Sequence, residues 1–298
     1  MALQKEIWIN SLVGNLFADN SFAVRSQNHS GFVTNKRVHV PNAGAAPSVT
    51  KNRASLPATI TTRTDVDLSY DINEFTTDPF RVDHAETIEL SYNKRESIIS
   101  SSRSALTEAV HDDLIASWVP SGYAKVLTTG EATAAHQESE TGNRKKITIN
   151  DLLAVKITMD RDNIPSNGRC ILLDCDMYNE LLASLTQNEY HAFLASADAQ
   201  RGIVGRLYGF DFYMRSKVLR VVANGSAIAS ENAATDSAAG IAWQSDCVSR
   251  ALGNTELFVD EKNPSYYGDI FSALVRAGGH YVRNDKKGVV VIAQGTAE

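Results

Sequence analysis

The sequence is poor in cysteine and contains no long hydrophobic run, and each absence argues against a class of protein. Three cysteines among 298 residues form an odd and sparse set, which argues against a disulfide-stabilised secreted domain and predicts reduced thiols. No stretch approaches the roughly 18 apolar residues of a membrane-spanning helix. Residues 1–6 are followed by no apolar block with a cleavage site, so no secretory signal is predicted. We therefore expect no association with a membrane.

The motifs of common enzyme classes are missing as well. The sequence has no Gly-x-Ser-x-Gly nucleophile elbow and no Gly-x4-Gly-Lys-Ser/Thr phosphate loop. His111, Asp112 and Asp113 are adjacent, but adjacent side chains of a helix point apart, so a solvated helix face is favoured over a metal site. Cys170 and Cys175 have no histidine near them in the sequence and are expected to be buried apolar side chains. We expect no enzymatic activity, no cofactor and no metal.

Charge is distributed unevenly along the chain. Residues 1–57 contain six cations and two anions, a net charge of +4, so the remainder carries −10 of the total of −6. This is not the dense basic patch that is typical of a nucleic-acid-binding protein. A basic N-terminal segment and an acidic remainder favour attraction between copies of the chain. Solvated surface charge without a partner is the alternative.

Residues 60–72 have the period of two that is typical of a β-strand. Alternate positions are apolar or β-branched on one side and polar on the other. At about 3.3 Å per residue this strand would extend roughly 43 Å, whereas typical strands have about five or six residues. A projecting two-stranded arm is only marginally stable in water. We therefore expect another molecule to cover its apolar face, which makes the chain a component of an assembly.

A hairpin and a long helix are predicted on either side of this stretch. Residues 32–40 alternate loosely, and a Pro-, Gly- and Ala-rich segment at 42–57 separates them from the long strand, so a protruding hairpin with its tip at 42–57 is predicted. Within 83–119 the apolar residues follow the spacing of one helix face. This predicts a helix of some 25–35 residues, which starts with a capping-box pattern at residue 83 or as late as Lys94.

Strands and helices alternate in the middle of the chain. Thr148 and Asp151 are expected to open a helix, residues 170–173 to form a buried strand and residues 176–185 a further helix. Short strands are predicted at 219–222, 241–243, 257–259, 270–275, 280–282 and 289–292. Because strands near both chain ends flank an inserted lobe, the predicted fold class is α+β with a discontinuous domain.

The most specific pattern in the sequence lies at 202–216 and reads Gly-Ile-Val-Gly-Arg-Leu-x-Gly-Phe-x-x-Tyr. Gly205 and Gly209 fit backbone bends that a side chain would obstruct. With this segment and the order of arm, hairpin, long helix and α/β lobe, the chain resembles the major capsid proteins of tailed bacteriophages over essentially its whole length. The resemblance implies the Hong Kong 97-like fold, with a long spine helix, an extended β-hairpin loop and a discontinuous peripheral domain.

The resemblance also implies a division of the chain into four parts. These are an N-terminal arm at 1–35, an extended loop at 36–78, a peripheral domain with the spine helix at 79–121 and 254–298, and an axial domain at 122–253. Only about 35 residues precede the hairpin. A separate scaffold protein is therefore implied, or a cleaved precursor whose mature form is this chain.

The function implied by the resemblance is mechanical. The chain would be made in the cytoplasm of a host bacterium and would assemble with itself into the pentamers and hexamers of an icosahedral virion head. Its other partners would be a portal, the scaffold protein and packaged double-stranded DNA, contacted without sequence specificity. The alternative is an encapsulin-type compartment of the same fold, which encloses enzymes instead of DNA. A third interpretation is an intracellular hydrolase that uses the 122–253 lobe.

Seven residues are candidates for contact between copies. They are Trp8, Phe17, Lys51, Arg53, Arg63, Val66 and Tyr70. The first two would anchor the arm, with local core as the alternative, and the three cations would be ion-pair donors on the loop. Because an exposed ion pair contributes only about 0–1 kcal/mol, cohesion is expected to come from apolar and strand contacts repeated over many copies.

Overall fold

The structure is a computed structural model, which describes residues 2–42, 49–54, 57, 60, 62, 66–83, 94–137, 139–229 and 232–297. The α-helices in these ranges are α1 (Ala2–Leu16), α2 (Lys94–Trp118), α3 (Ile149–Arg161), α4 (Cys175–Ser184) and α5 (Gln187–Ala195). The strands up to the middle of the chain are β1 (Gln27–Asn28), β2 (Val33–Thr34), β3 (Arg37–Asn42), β4 (Val66–Asp71), β5 (Asn73–Thr76), β6 (Phe80–Asp83), β7 (Ala124–Leu127), β8 (Ala132–Ala134) and β9 (Asn143–Lys145). The later strands are β10 (Arg169–Asp174), β11 (Gly205–Leu207), β12 (Phe210–Arg215), β13 (Leu219–Val221), β14 (Ser237–Gln244), β15 (Val248–Asn263), β16 (Gly268–Tyr281) and β17 (Val289–Ala293).

The long predicted helix is α2, which has 25 residues and is about 38 Å long. Its apolar residues at 3–4 spacing form one buried face, in which Leu106 and Val110 pack with α1 and β16, whereas Leu114 and Trp118 pack into the core of the larger sheet. One helix therefore contributes to both main cores. The capping-box pattern that starts at residue 83 includes Glu86, which lies outside the described residues.

A five-stranded sheet lies beneath α2. Its order is β1-β15-β16-β5, and β6 also pairs with β16. The antiparallel hairpin β15–β16 has strands of 16 and 14 residues, where the sequence predicted only three short strands. The alternation of side chains is broken by a register shift between Leu252 and Thr255, which is a β-bulge around Gly253. Because of this bulge, the apolar–polar alternation continues over too few residues to indicate the full length of the strands.

A seven-stranded sheet forms the second body of the fold, with the order β11-β12-β10-β14-β17-β7 and β13 paired to β14. Its central strands β10, β14 and β17 are fully buried, as expected for strands covered on both faces. One face packs against α3, α4 and α5, and the other packs against the end of α2. Within 254–298, β17 (Val289–Ala293) lies in this sheet, whereas β15 and β16 lie in the five-stranded sheet.

The N-terminal segment is more ordered than predicted. In place of an extended arm with one or two helical turns, the chain forms α1 with 15 residues. Trp8, Leu12 and Leu16 are buried against α2, β15 and β16. The predicted i, i+4, i+8 face is thus correct, but packing extends the helix well beyond two turns. None of the helices in the described ranges combines the length and apolar character needed to cross a bilayer.

The predicted hairpin is present as β3 and β4, which pair antiparallel from Arg37 opposite Asp71 to Asn42 opposite Val66. Residues 60 and 62, which the predicted strand included, are not in a strand, and residues 61 and 63–65 lie outside the described residues. Leu68, Tyr70 and Ile72 pack against their own chain. The expectation that a second molecule covers this apolar face is therefore wrong for these three residues.

Candidate assembly site

The exposed side of the β3–β4 ribbon is lined by ion pairs. Arg37 binds Asp71 through two hydrogen bonds of 2.7 and 3.1 Å, and His39 Nδ1 lies 2.9 Å from Asp67 Oδ2. The hydrogen bonds from Arg37 hold the pKa of the Asp71 carboxyl below its ordinary value. Because both partners are largely exposed, these pairs fix the register of the ribbon more than they stabilise the fold.

The root of the loop is fixed to the five-stranded sheet by Tyr70. Its hydroxyl oxygen accepts a 3.1 Å hydrogen bond from Ser249 Oγ and lies 3.4 Å from His29 Nδ1. The ring of His280 stacks on the tyrosine ring with centroids 5.4 Å apart. Burial raises the pKa of Tyr70, so its hydroxyl stays protonated. The loop is thus anchored at its base by a buried aromatic contact.

The tip of the loop carries apolar side chains that its own chain does not cover. Val49 is 97% exposed and Ile60 is 93% exposed. Lys51 and Arg53 are also exposed, and Arg53 Nη2 lies 3.4 Å from Thr50 Oγ1. Isolated exposed apolar residues are common, but two such side chains within the predicted loop are surface that a second molecule can bury.

A second projecting surface lies at the turn of the β15–β16 hairpin, which the sequence interpretation missed. Tyr267 is 82% exposed and Tyr266 is 52% exposed. Phe80 and Phe258, on β6 and β15, are about half exposed as well. The turn is closed by a 2.9 Å hydrogen bond from Tyr267 N to Asn263 O. The Asn-Pro-Ser-Tyr-Tyr-Gly run at 263–268 is the turn signal from which this hairpin was predictable.

The seven predicted contact residues fall into three groups. Trp8 and Tyr70 are buried within their own chain, and Phe17 is partly buried beneath the Arg250 guanidinium at 5.3 Å. The first two therefore have almost no surface to offer another copy, which corrects the prediction for them. Lys51 and Arg53 are exposed at the loop tip. Arg63 lies outside the described residues, and for Val66 only the backbone pairing with Asn42 is described.

A buried charge cluster, formed by His136, Asp174 and Glu180, joins the β8–β9 region to α4. His136 Nε2 lies 3.0 Å from Glu180 Oε1, and its Nδ1 lies 3.5 Å from Asp174 Oδ2. All three side chains are at most 11% exposed. Burial lowers the pKa of His136, but the hydrogen bonds and charges of Asp174 and Glu180 outweigh burial and raise the pKa to about 10. The imidazolium therefore partly neutralises two buried carboxylates.

The two carboxylates of this cluster also organise the backbone around them. Asp174 Oδ1 accepts a 2.6 Å hydrogen bond from Met177 N and so caps α4. Glu180 Oε2 accepts a 3.2 Å hydrogen bond from Ile147 N, just before α3. The role of the cluster is therefore structural. Among the described residues no three His, Cys, Asp or Glu side chains are arranged to bind a metal ion.

Solved structures share this arrangement of helices and sheets. A capsid structure of cyanophage P-SCSP1u has a TM-score of 0.63 at 16% identity and covers 92% of this chain and 87% of that chain. The cyanophage Pam1 capsid asymmetric unit has a TM-score of 0.62 at 12% identity, with coverages of 95% and 92%. The virus-like particle from Pyrococcus furiosus has a TM-score of 0.56 at 11% identity, with coverages of 97% and 99%. No protein-family model and no curated protein matches the sequence.

Proposed function

We propose that this chain, which has the Hong Kong 97-like capsid fold, is the major capsid protein of a tailed double-stranded DNA bacteriophage. The observation that carries the proposal is the likeness to cyanophage capsids over more than nine-tenths of the chain. In this proposal the chain assembles with itself into the pentamers and hexamers of an icosahedral head. It acts as a structural protein of the virion and not as an enzyme.

The exposed apolar side chains of the loop fit this role energetically. Full burial of one Val or Ile side chain contributes about 1.5–3 kcal/mol, whereas an exposed ion pair contributes about 0–1 kcal/mol. Burial of Val49 and Ile60 against a neighbour, repeated in every copy, is therefore the main cohesive term for the loop. Lys51 and Arg53 would orient the loop towards the acidic remainder of a neighbouring chain.

The parts of the chain follow from the same proposal. We assign 1–35 apart from β1 to the N-terminal arm, 36–78 apart from β5 to the extended loop, the five-stranded sheet with α2 to the peripheral domain, and the seven-stranded sheet with α3–α5 to the axial domain. Further partners in this proposal are a portal, a separate scaffold protein or cleaved pro-segment, and packaged DNA bound without sequence specificity. Synthesis in the cytoplasm of the host bacterium belongs to the same proposal.

An encapsulin-type compartment is the second candidate, because the virus-like particle from Pyrococcus furiosus is covered over almost its full length. The two candidates differ in how the full chain assembles when it is produced alone. A phage capsid protein that needs a separate scaffold is expected to yield free capsomers or irregular shells in electron micrographs. Uniform small closed cages would favour the compartment, and a stable monomer in sedimentation would favour the hydrolase interpretation over both. We favour the phage capsid because the two cyanophage capsids have the higher TM-scores.

Removal of residues 43–57 is expected to abolish assembly without unfolding the subunit. The hairpin root at β3–β4 and the contacts of Tyr70 remain in the deletion variant, so its circular dichroism spectrum and melting temperature should stay close to those of the full chain. Sedimentation velocity should then show monomers where the full chain forms capsomers or shells. The matched control is Ile157→Asp, which places a charge on a half-exposed position of α3 and should leave assembly intact. Normal particles from the deletion variant would contradict the proposal.

A further inference from the structure

A cavity of about 460 Å³ opens where α1, α2 and the turn after β12 meet. Its lining includes Asn15, Arg103, Ser104, Thr107, Glu108 and Arg215. These residues come from three parts of the fold that are distant in sequence. Two of the six are arginines, and all but Glu108, five of the six, can donate a hydrogen bond from a side-chain N–H or O–H without carrying a negative charge. The cavity is therefore rich in donors.

Arg103 is the cation of this cavity that lacks a counter-charge. Its Nη1 donates to Ser11 Oγ at 2.6 Å, and its Nη2 lies 3.5 Å from Ser100 Oγ. In the described part of the chain no carboxylate lies within ion-pair distance of it. A guanidinium has five N–H donors, so the two serines orient the group while leaving donors free. A partly buried and oriented guanidinium without a carboxylate is suited to receive an anion.

Arg215 is the second arginine that lines the cavity. It is paired with Asp112 and donates to the Glu108 carbonyl oxygen at 3.3 Å, and its side chain is only 15% exposed. These contacts hold the guanidinium in one position. The carboxylate of Glu108 is the acidic group that the described lining contributes. Its negative charge opposes anion binding, so a variant without this charge should bind an anion more tightly.

His111 closes the inner end of the cavity as a neutral group. Its Nε2 donates to Leu16 O at 2.8 Å. Burial lowers the pKa of His111, and the nearby charge of Arg215 lowers it further, against the opposing effects of the Leu16 hydrogen bond and Asp112. The ring therefore ties the end of α1 to α2 and adds no charge. The positive charge without a counter-charge comes from Arg103, whereas Arg215 offers hydrogen-bond donors while it is paired with Asp112.

We propose that this cavity binds a phosphate group of a larger molecule. Paired guanidiniums match the oxygen geometry of phosphate, and the hydroxyl and amide groups supply the further donors that phosphate oxygens accept. The volume exceeds that of a single phosphate and leaves room for an attached sugar. We take the backbone of packaged duplex DNA as the source of this phosphate, and that part of the inference rests on the proposed function. Binding at this point would hold α1, α2 and the seven-stranded sheet together.

The test measures binding by soluble full-length subunits, so it does not depend on shell formation. The probes are inorganic phosphate, followed by calorimetry, and a fluorescent 20-base-pair duplex, followed by anisotropy between 50 and 200 mM salt. Arg103→Gln should weaken binding of both probes about tenfold, because a charge-assisted hydrogen bond is lost. For the duplex it should also reduce the slope of log affinity against log salt by about one. Glu108→Gln should strengthen binding.

The matched control is Arg206→Gln, because Arg206 is an exposed arginine that pairs with Asp211 on a different sheet edge. It should leave both affinities unchanged within about twofold. Arg103→Lys should keep the salt slope and lose part of the affinity, since lysine retains the charge without the fork. Equal losses in the Arg103 and Arg206 variants would overturn the site. Loss of phosphate binding alone in Arg103→Gln would support the site but overturn DNA as its source. Melting temperatures confirm that each variant is folded.

Discussion

Substitution of His136 by alanine is expected to lower the free energy of unfolding by about 3–5 kcal/mol, the usual cost of removing one partner from a buried ion pair. The variant leaves Asp174 and Glu180 buried without the imidazolium that lies between them. It also removes the cation beside the Asp174 carboxylate that caps α4. Urea denaturation at pH 7 measures the loss. The matched control is His39→Ala, since His39 is an exposed histidine paired with Asp67, and it should cost less than about 1 kcal/mol.

The pH dependence of stability gives a second measurement of the same cluster. The pKa of His136 is about 10 in the folded chain, above its ordinary value of 6.5, so the folded state binds the proton more tightly than the unfolded state. The stabilisation is fully present below about pH 6.5 and is lost as the pH rises to about 10. Wild-type stability should therefore fall more steeply between pH 7 and 10 than that of His136→Gln. Parallel pH profiles would contradict a charged His136, even if His136→Ala fails to fold.

Elements that depend on local signals were predictable from the sequence. The start of α3 is an example, since Thr148 and Asp151 form the predicted capping box, with Asp151 Oδ2 accepting from Thr148 N at 2.8 Å. The long helix α2 was predictable because its apolar face repeats over many turns. The α+β class followed from the order of such elements, and the Hong Kong 97-like fold was implied by the resemblance that this order and the 202–216 segment carry. Both predictions are confirmed.

Features that depend on tertiary contacts were not predictable. The apolar spacing in α1 predicted only one or two helical turns. The full helix was not predicted because most of its stability comes from packing against α2 and not from helix propensity. The His136 cluster joins three residues that are up to 44 positions apart, and the phosphate cavity joins α1 to residue Arg215. No periodic pattern brings such residues together. Contacts of this kind between residues distant in sequence become apparent only in the folded structure.

The close approach of α2 to β16 was likewise not predictable, because in the sequence it corresponds only to a pair of adjacent glycines. Gly278 and Gly279 lie in β16, where glycine weakens a strand unless another element approaches closely. A Cβ on Gly279 would meet Leu114 of α2 and would lie 2.5 Å from the carbonyl oxygen of Ser249. That same oxygen accepts a buried 2.8 Å hydrogen bond from Trp118 Nε1. The glycine therefore sets the distance between the long helix and the five-stranded sheet.

Gly279→Ala is accordingly expected to destabilise the subunit by about 3 kcal/mol, because the methyl group overpacks the contact and displaces the Trp118 hydrogen bond. The matched control is Gly14→Ala in α1, where an added Cβ meets nothing within 4 Å and should stabilise the helix by about 0.5–1 kcal/mol. Urea midpoints give both values. Equal shifts of the urea midpoint in the two variants would contradict this prediction, because the contact between α2 and β16 would then have room for the added methyl group. A loss of stability in Gly279→Ala but not in Gly14→Ala would show that the orientation of the spine helix depends on this close contact between α2 and the backbone of β16.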